Sequence, residues 1–214
     1  MRNDKFLLVY DYETSGRDPR KVGITQIAGV IIHPQTLEIL DEFNRDNIKP
    51  RETDLIEDEA FKITRKNKDE ILKNGHDPKI IWPEWVNFIK QYNPKMSGFM
   101  APIPCGFNID GYDSVLTERY AEEYGPWDTK KDQQCLMSNF MSFDVMRMNF
   151  WWHRNNHDLA DLKLDTYRDY VGMSKANAHD ALQDVKDTAA IIVKYLRLYS
   201  ELGKKIRWKG AFGQ

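Results

Sequence analysis

The chain has 214 residues, 41% hydrophobic, 12% aromatic and 30% charged, which suits one domain with its own core and excludes a disordered chain, a collagen or a disulfide scaffold. With 31 Lys and Arg against 33 Asp and Glu, the formal net charge is −2; there is no basic excess to mark a nucleic-acid binder, although carboxylates that hold cations can still bind phosphate. The early apolar run Phe6 to Tyr10 is followed at once by Asp11, too short for the ~20 residues of a membrane span and without a signal-peptide pattern, and Cys105 and Cys135 lack metal-site spacing. The expectation is a cytoplasmic protein with no membrane contact.

Taken in order, the first forty-five residues read as three strands. Phe6 to Asp11 is a short apolar run of the kind buried in a sheet. Ile24 to Ile32 is apolar with Gly29 inside it, and Ile39 to Arg45 alternates as an edge strand does. Short connections carrying Gly16, Pro19, Gly23 and Pro34 make antiparallel neighbours the economical arrangement. After Pro50 the pattern turns helical. Asn67 with Glu70 three residues on reads as an N-cap, and Gly75 closes that helix. Pro83 sits where a first helical residue would, ahead of Trp85, Phe88 and Ile89. A strand over Pro102 to Phe107 leads into a helix from about Gly111 to Tyr124. Helices follow over Phe143 to Trp152, over Leu162 to Val171 with a stop at Gly172, and from near Asp180 to about Leu202. No repeat, low-complexity tract or linker appears, so residues 1–214 are read as one α/β domain, with its core over about 5–200 and a short tail over 203–214.

Three features have a plain and a functional reading. Met137 to Trp152, rich in Met, Phe and Trp, could stack on a substrate; apolar residues at helical spacing are usually core, which is the reading taken. The tail around Lys204, Lys205, Arg207 and Trp208 could grip a nucleic-acid backbone, and is read as a solvated helix end. His153 and His157, four apart, have no glutamate or third ligand with them and are read as structural or surface residues rather than a zinc pair.

The acidic residues carry more. Asp11-Tyr12-Glu13 closes an apolar strand, and strand alternation points residues 11 and 13 to one face. Paired carboxylates repel and cost several kcal/mol to desolvate unless compensated, for which a hard divalent cation is suited. A second cluster, Gly106-Phe107-Asn108 through Tyr112-Asp113, lies where a strand hands over to a helix. A third, Asn177-Ala178-His179-Asp180-Ala181, precedes Asp184 and Asp187 on one face of the last helix. Asp180 is read as serving the helix dipole, and Asp184 as reaching toward the sheet.

The ordered set Asp11-x-Glu13, Asp113, then His179 with Asp184 five residues later, resembles the three motifs of the DEDDh 3′→5′ exonuclease superfamily. It is most like the nuclease domains of the bacterial exonuclease I family, over residues 5 to about 198, with Asp144-Val145-Met146-Arg147 as a further similar stretch. The resemblance implies a ribonuclease-H-like fold: a mixed five-stranded sheet, its first three strands antiparallel, flanked by helices. It implies that Asp11, Glu13, Asp113 and Asp184 hold two Mg²⁺ or Mn²⁺ ions bracketing a phosphodiester. His179 is then the general base, and water attacks the terminal phosphorus in line, releasing a nucleoside 5′-monophosphate. Thr14 and Ser15 resemble residues that meet the terminal sugar. Phe61-Lys62-Ile63-Thr64 resembles the segment that wedges an apolar side chain, here Ile63, beside the last base, with Arg65 where the family often has glycine. Asn108 resembles an asparagine that orients groups around the site.

The leading expectation is therefore a metal-dependent exonuclease acting on single-stranded DNA. An exoribonuclease of the oligoribonuclease or ribonuclease T kind is the alternative, and a catalytically idle binding module the rival from another class. Because the exonuclease I family carries further domains after its nuclease and this sequence stops at Gln214, distributive degradation is expected.

Overall fold

The computed structural model describes residues 5–96, 100–155, 157–175 and 179–205. In chain order the elements are β1 (Leu7–Thr14), β2 (Ile24–Ile32), β3 (Ile39–Arg45), α1 (Asp58–Ile63), α2 (Lys68–Asn74) and α3 (Pro78–Lys90). Then come β4 (Ile103–Gly106), α4 (Asp113–Tyr124), β5 (Trp127–Asp128), β6 (Gln133–Gln134), β7 (Phe143–Asp144), α5 (Val145–Trp152), α6 (Leu164–Val171) and α7 (Ala181–Lys205). A mixed five-stranded sheet has the order β3-β2-β1-β4-β7. The first three strands are antiparallel, while β4 is parallel to β1 and β7 parallel to β4.

Alternation along β1 divides the core in two. Leu8, Tyr10 and Tyr12 face the cluster that holds Trp82, Trp85 and Phe88 of α3 and Leu116 and Tyr120 of α4. Leu7 and Val9 face the other way, against Ala181, Val185, Ala189 and Ile192 of α7. The strand runs three residues beyond the expected Asp11, to Thr14, because β2 continues to pair with it.

Gly29 shows how closely the layers approach. Tyr10, Gly29 and Phe43 are cross-strand neighbours, and Trp85 lies over the glycine; a Cβ there would come 2.5 Å from the indole edge. Gly29→Ala should therefore destabilise the fold by about 1–3 kcal/mol through overpacking. An unchanged denaturant midpoint would refute this seating of α3.

The expected cap of α2 is present: Asn67 accepts a hydrogen bond from the Glu70 backbone N–H, and Gly75 ends the helix. Asp180 likewise accepts from the Gln183 N–H at the start of α7. Gly172 ends α6 in the left-handed conformation.

Three expectations are corrected. Helix α3 starts at Pro78, capped by Asp77, and Pro83 lies inside it; the carbonyl that loses its partner belongs to exposed Lys79, which solvent can satisfy. Phe143 and Asp144 are strand rather than helix, since they pair with Cys105 and Gly106, and Asp144 caps α5 by accepting from the Arg147 N–H. The Met137–Trp152 segment is core only in part. Met137, Val145 and Asn149 are buried, but Phe140 is 77% and Trp151 65% exposed, with Phe150 and Trp152 also exposed. Helix α5 is only two turns long and sits at the sheet edge, so among the described residues no layer covers one side of it.

His153 packs on the rings of Tyr167 and Tyr170, a structural role as expected, and His157 is exposed. Residues 206–214 of the basic tail lie outside the described residues. Among the described residues no helix is long and apolar enough to cross a membrane.

Candidate metal and catalytic site

The face of β1 that buries Leu7 and Val9 continues into Asp11 and Glu13, so both carboxylates emerge toward α7. Small residues at Ala181 and Ala189, fully buried, let α7 lie close against β1 and β2. Capped at Asp180, α7 presents Asp184 one turn in. One oxygen from each of Asp11, Glu13 and Asp184 lies within 4.8 Å of the others.

That convergence is costly without a cation. Burial, then the charge of Asp184, raises the Asp11 carboxyl far above its ordinary range, and burial with the charges of Asp11 and Asp184 does the same to Glu13. Asp184 is raised by burial, with Arg168 opposing. The donors are all hard, anionic oxygens in a poorly solvated place, which fits a hard divalent cation. Lys66 offsets part of the charge on Glu13; its ammonium donates to Gln26 Oε1 at 2.9 Å and pairs with Asp46.

Asp113 stands behind this trio rather than in it. Pairing of β4 with β1 reaches only Val9, so the next N–H on that edge, from Tyr12, needs an acceptor, and Asp113 Oδ1 supplies it at 3.0 Å. The carboxyl is buried, and desolvation followed by the charge of Asp11 pushes its pKa well up.

His179 begins a described segment just ahead of α7 with φ 69°, a left-handed conformation that side chains adopt at a cost and that often marks a functional position. Its Nε2 lies 3.5 Å from Asp165 Oδ2. His179, Asp184, Asn108 and Met146 line one cavity of about 440 Å³. Asn108 is also left-handed, with φ 60°, in a turn organised by buried Asp144, which accepts from the N–H groups of Asn108 and Asp110.

A second cavity, of about 260 Å³, opens beside Glu13 and is lined by Thr14, Ile63, Thr64 and Tyr112. Ile63 is 44% exposed at the end of α1, and Arg65 takes the left-handed φ of 56° at the position where glycine would relieve strain. The Thr14 hydroxyl donates to the Gly16 carbonyl and meets Tyr112 Oη at 2.6 Å. Ser15 is different. It is fully buried, its hydroxyl donates to Leu55 O and accepts from Gly23 N–H, and its own N–H binds Gly23 O. Both of its expected sugar-binding groups are committed to the loop.

The structure thus gathers Asp11, Glu13 and Asp184, sets His179 and Asn108 in a cavity that Asp184 also lines, and puts Thr14 and Ile63 in one that Glu13 lines. Sequence reading missed Arg168, Asp165, Lys66 and Tyr112, each an unremarkable charged or aromatic residue until the tertiary fold brings it to a motif residue.

Residues 8–192 match the family model for RNase_T, described as Exonuclease. Among solved structures, E. coli exonuclease I in complex with a dT13 oligonucleotide aligns with TM-score 0.69 at 18% identity, over 92% of this chain and 43% of that one. A moderately thermophilic exonuclease I from Methylocaldum szegediense aligns with TM-score 0.64 at 22% identity, over 88% and 40%. The zinc-bound form of the E. coli exonuclease I–single-stranded DNA complex aligns with TM-score 0.65 at 19% identity, over 94% and 43%. The chain spans less than half the length of these structures, and the likeness is one of fold. No curated protein sequence matches it.

Proposed function

This chain belongs to the RNase_T exonuclease family, and from that premise we propose that it removes nucleotides from the 3′ end of single-stranded DNA, releasing nucleoside 5′-monophosphates. The observation that carries the reading is the meeting of Asp11, Glu13 and Asp184 within 4.8 Å beside a cavity shared by Asp184 and His179.

Asp11, Glu13 and Asp184 would hold one Mg²⁺ or Mn²⁺ ion, and Asp11 with Asp113 would help hold a second. When bound, two such ions neutralise charge on the phosphodiester and make water a better nucleophile. The remaining work falls to the chain. The cavity of Thr14, Ile63 and Tyr112 takes the terminal nucleoside, with Ile63 against the base; an apolar contact of this kind serves any base and predicts little sequence preference. His179 accepts the proton of the attacking water, and Asp165 gives the ring a countercharge while it carries that proton. Asn108 orients groups at the mouth.

The direct test is a gel time course on 5′-labelled single-stranded DNA and matched RNA, with Mg²⁺, with Mn²⁺ and with chelator. The expected result is a ladder shrinking from the 3′ end, abolished by chelator and faster on DNA. Faster loss of RNA would turn the assignment to an exoribonuclease. Folded protein that degrades neither with metal present would leave a nucleic-acid-binding module.

A further inference from the structure

Arg168 on α6 is 1% exposed, and it meets three carboxylates. Its Nε donates to Asp187 Oδ2 at 2.8 Å, its Nη2 to Asp184 Oδ1 at 2.7 Å and its Nη1 to Asp165 Oδ1 at 2.9 Å. Asp187 is held from its other side by Gln183 at 2.8 Å. The other oxygen of Asp165 lies 3.5 Å from His179 Nε2. A buried arginine that merely ties α6 to α7 would need only Asp187, which is not one of the three converging carboxylates. The two further contacts go to a carboxylate of the metal trio and to the carboxylate beside the histidine.

We propose that Arg168 is a positioning residue of the nuclease site, fixing Asp184 and His179 relative to each other through one rigid guanidinium. The role rests on the nuclease reading above. Arg168 takes Oδ1 of Asp184, a carboxylate that also accepts from the His179 backbone N–H, so the guanidinium sets the orientation of a group already tied to the histidine's backbone. By taking Oδ1 of Asp165, it leaves Oδ2 for the imidazole. The planar fork donates to all three acids at once; a lysine keeps the charge but is a flexible point donor that cannot span them. Partners that orient metal ligands in this way typically contribute about 10–100-fold to metal affinity or activity.

The test compares the full chain with Arg168→Lys, Asp165→Asn and the double variant. The readouts are kcat and KM on a single-stranded oligonucleotide, Mn²⁺ affinity by calorimetry, and folding by circular dichroism. Arg168→Lys should lose about 10–100-fold in kcat with KM for DNA unchanged, and weaken Mn²⁺ by a similar factor. Asp165→Asn should lower kcat while leaving Mn²⁺ affinity intact, because Asp165 meets His179 and Arg168 but is not one of the three converging carboxylates, and the amide oxygen can still accept from Arg168. The double variant should lose no more kcat than Arg168→Lys alone, since both act along one path. Folded Arg168→Lys with wild-type kcat and Mn²⁺ affinity overturns the proposal, as do losses that add in the double variant. If Arg168→Lys does not fold, Asp165→Asn decides: wild-type kcat overturns the link to His179, and reduced kcat with intact Mn²⁺ binding upholds it. A wild-type protein inactive on DNA and RNA with metal present would instead refute the nuclease reading, and the Mn²⁺ titrations would still test the hold of Arg168 on Asp184.

Discussion

Asp11→Asn is expected to abolish turnover, by on the order of 10³-fold or more, and at the same time to stabilise the metal-free protein. Asp11 is central to the carboxylate trio on β1. The amide fills the same space but offers a neutral oxygen, so several kcal/mol of charge stabilisation at the phosphodiester is lost, and each ~1.4 kcal/mol is tenfold in rate. The gain in stability follows from proton linkage. Without metal, the native Asp11 carboxyl keeps its proton up to about pH 8, whereas an unfolded aspartate releases it near ~4. Between those values the native state binds more protons than the unfolded state, so the metal-free fold loses stability as pH rises. Asparagine has no proton to lose and escapes that penalty. Thermal melts in chelator should therefore show the variant above the wild type, by a margin that widens from pH 5 to 8. Adding Mn²⁺ should raise the wild-type Tm more than that of the variant. A margin that stays flat with pH would show that the trio is not electrostatically frustrated, and normal turnover would remove Asp11 from the site.

His179→Asn is expected to separate proton transfer from ion binding. Asparagine tolerates the left-handed backbone at this position better than alanine does, so the fold should survive. It cannot accept a proton at neutral pH. The rate should fall by about 10²–10⁴-fold, while calorimetric Mn²⁺ affinity stays near wild type, because the three converging oxygens come from Asp11, Glu13 and Asp184 alone. A variant that turns over normally would dismiss His179 as the base even with the metal site intact.

Much of the fold was legible because it is written locally. The bounds of β2 and β3, the Asn67 cap and the Gly172 stop agree with their expected places, since apolar period, capping side chains and glycine act within a few residues of chain. Strand β7 was not legible. Two residues carry no period, and Phe143 and Asp144 are strand only because Cys105 and Gly106 lie beside them. The exposure of Trp151 and Phe140 was missed for a related reason: an apolar residue in the sequence does not say whether another layer will cover it.

The site divides along the same line. Sequence alone determined the residue types and their order, Asp11 and Glu13 two apart on one strand face, and His179 ahead of a helix carrying Asp184, because alternation and helical pitch are properties of the local backbone. Tertiary structure decided which of them meet. It brought Asp184 to β1, set Asp113 behind Tyr12, closed Ser15 into its loop, and drew Arg168 to Asp184 and Asp187. These are contacts between elements far apart in the chain, and they are set by how the helices pack on the sheet, which no local pattern encodes.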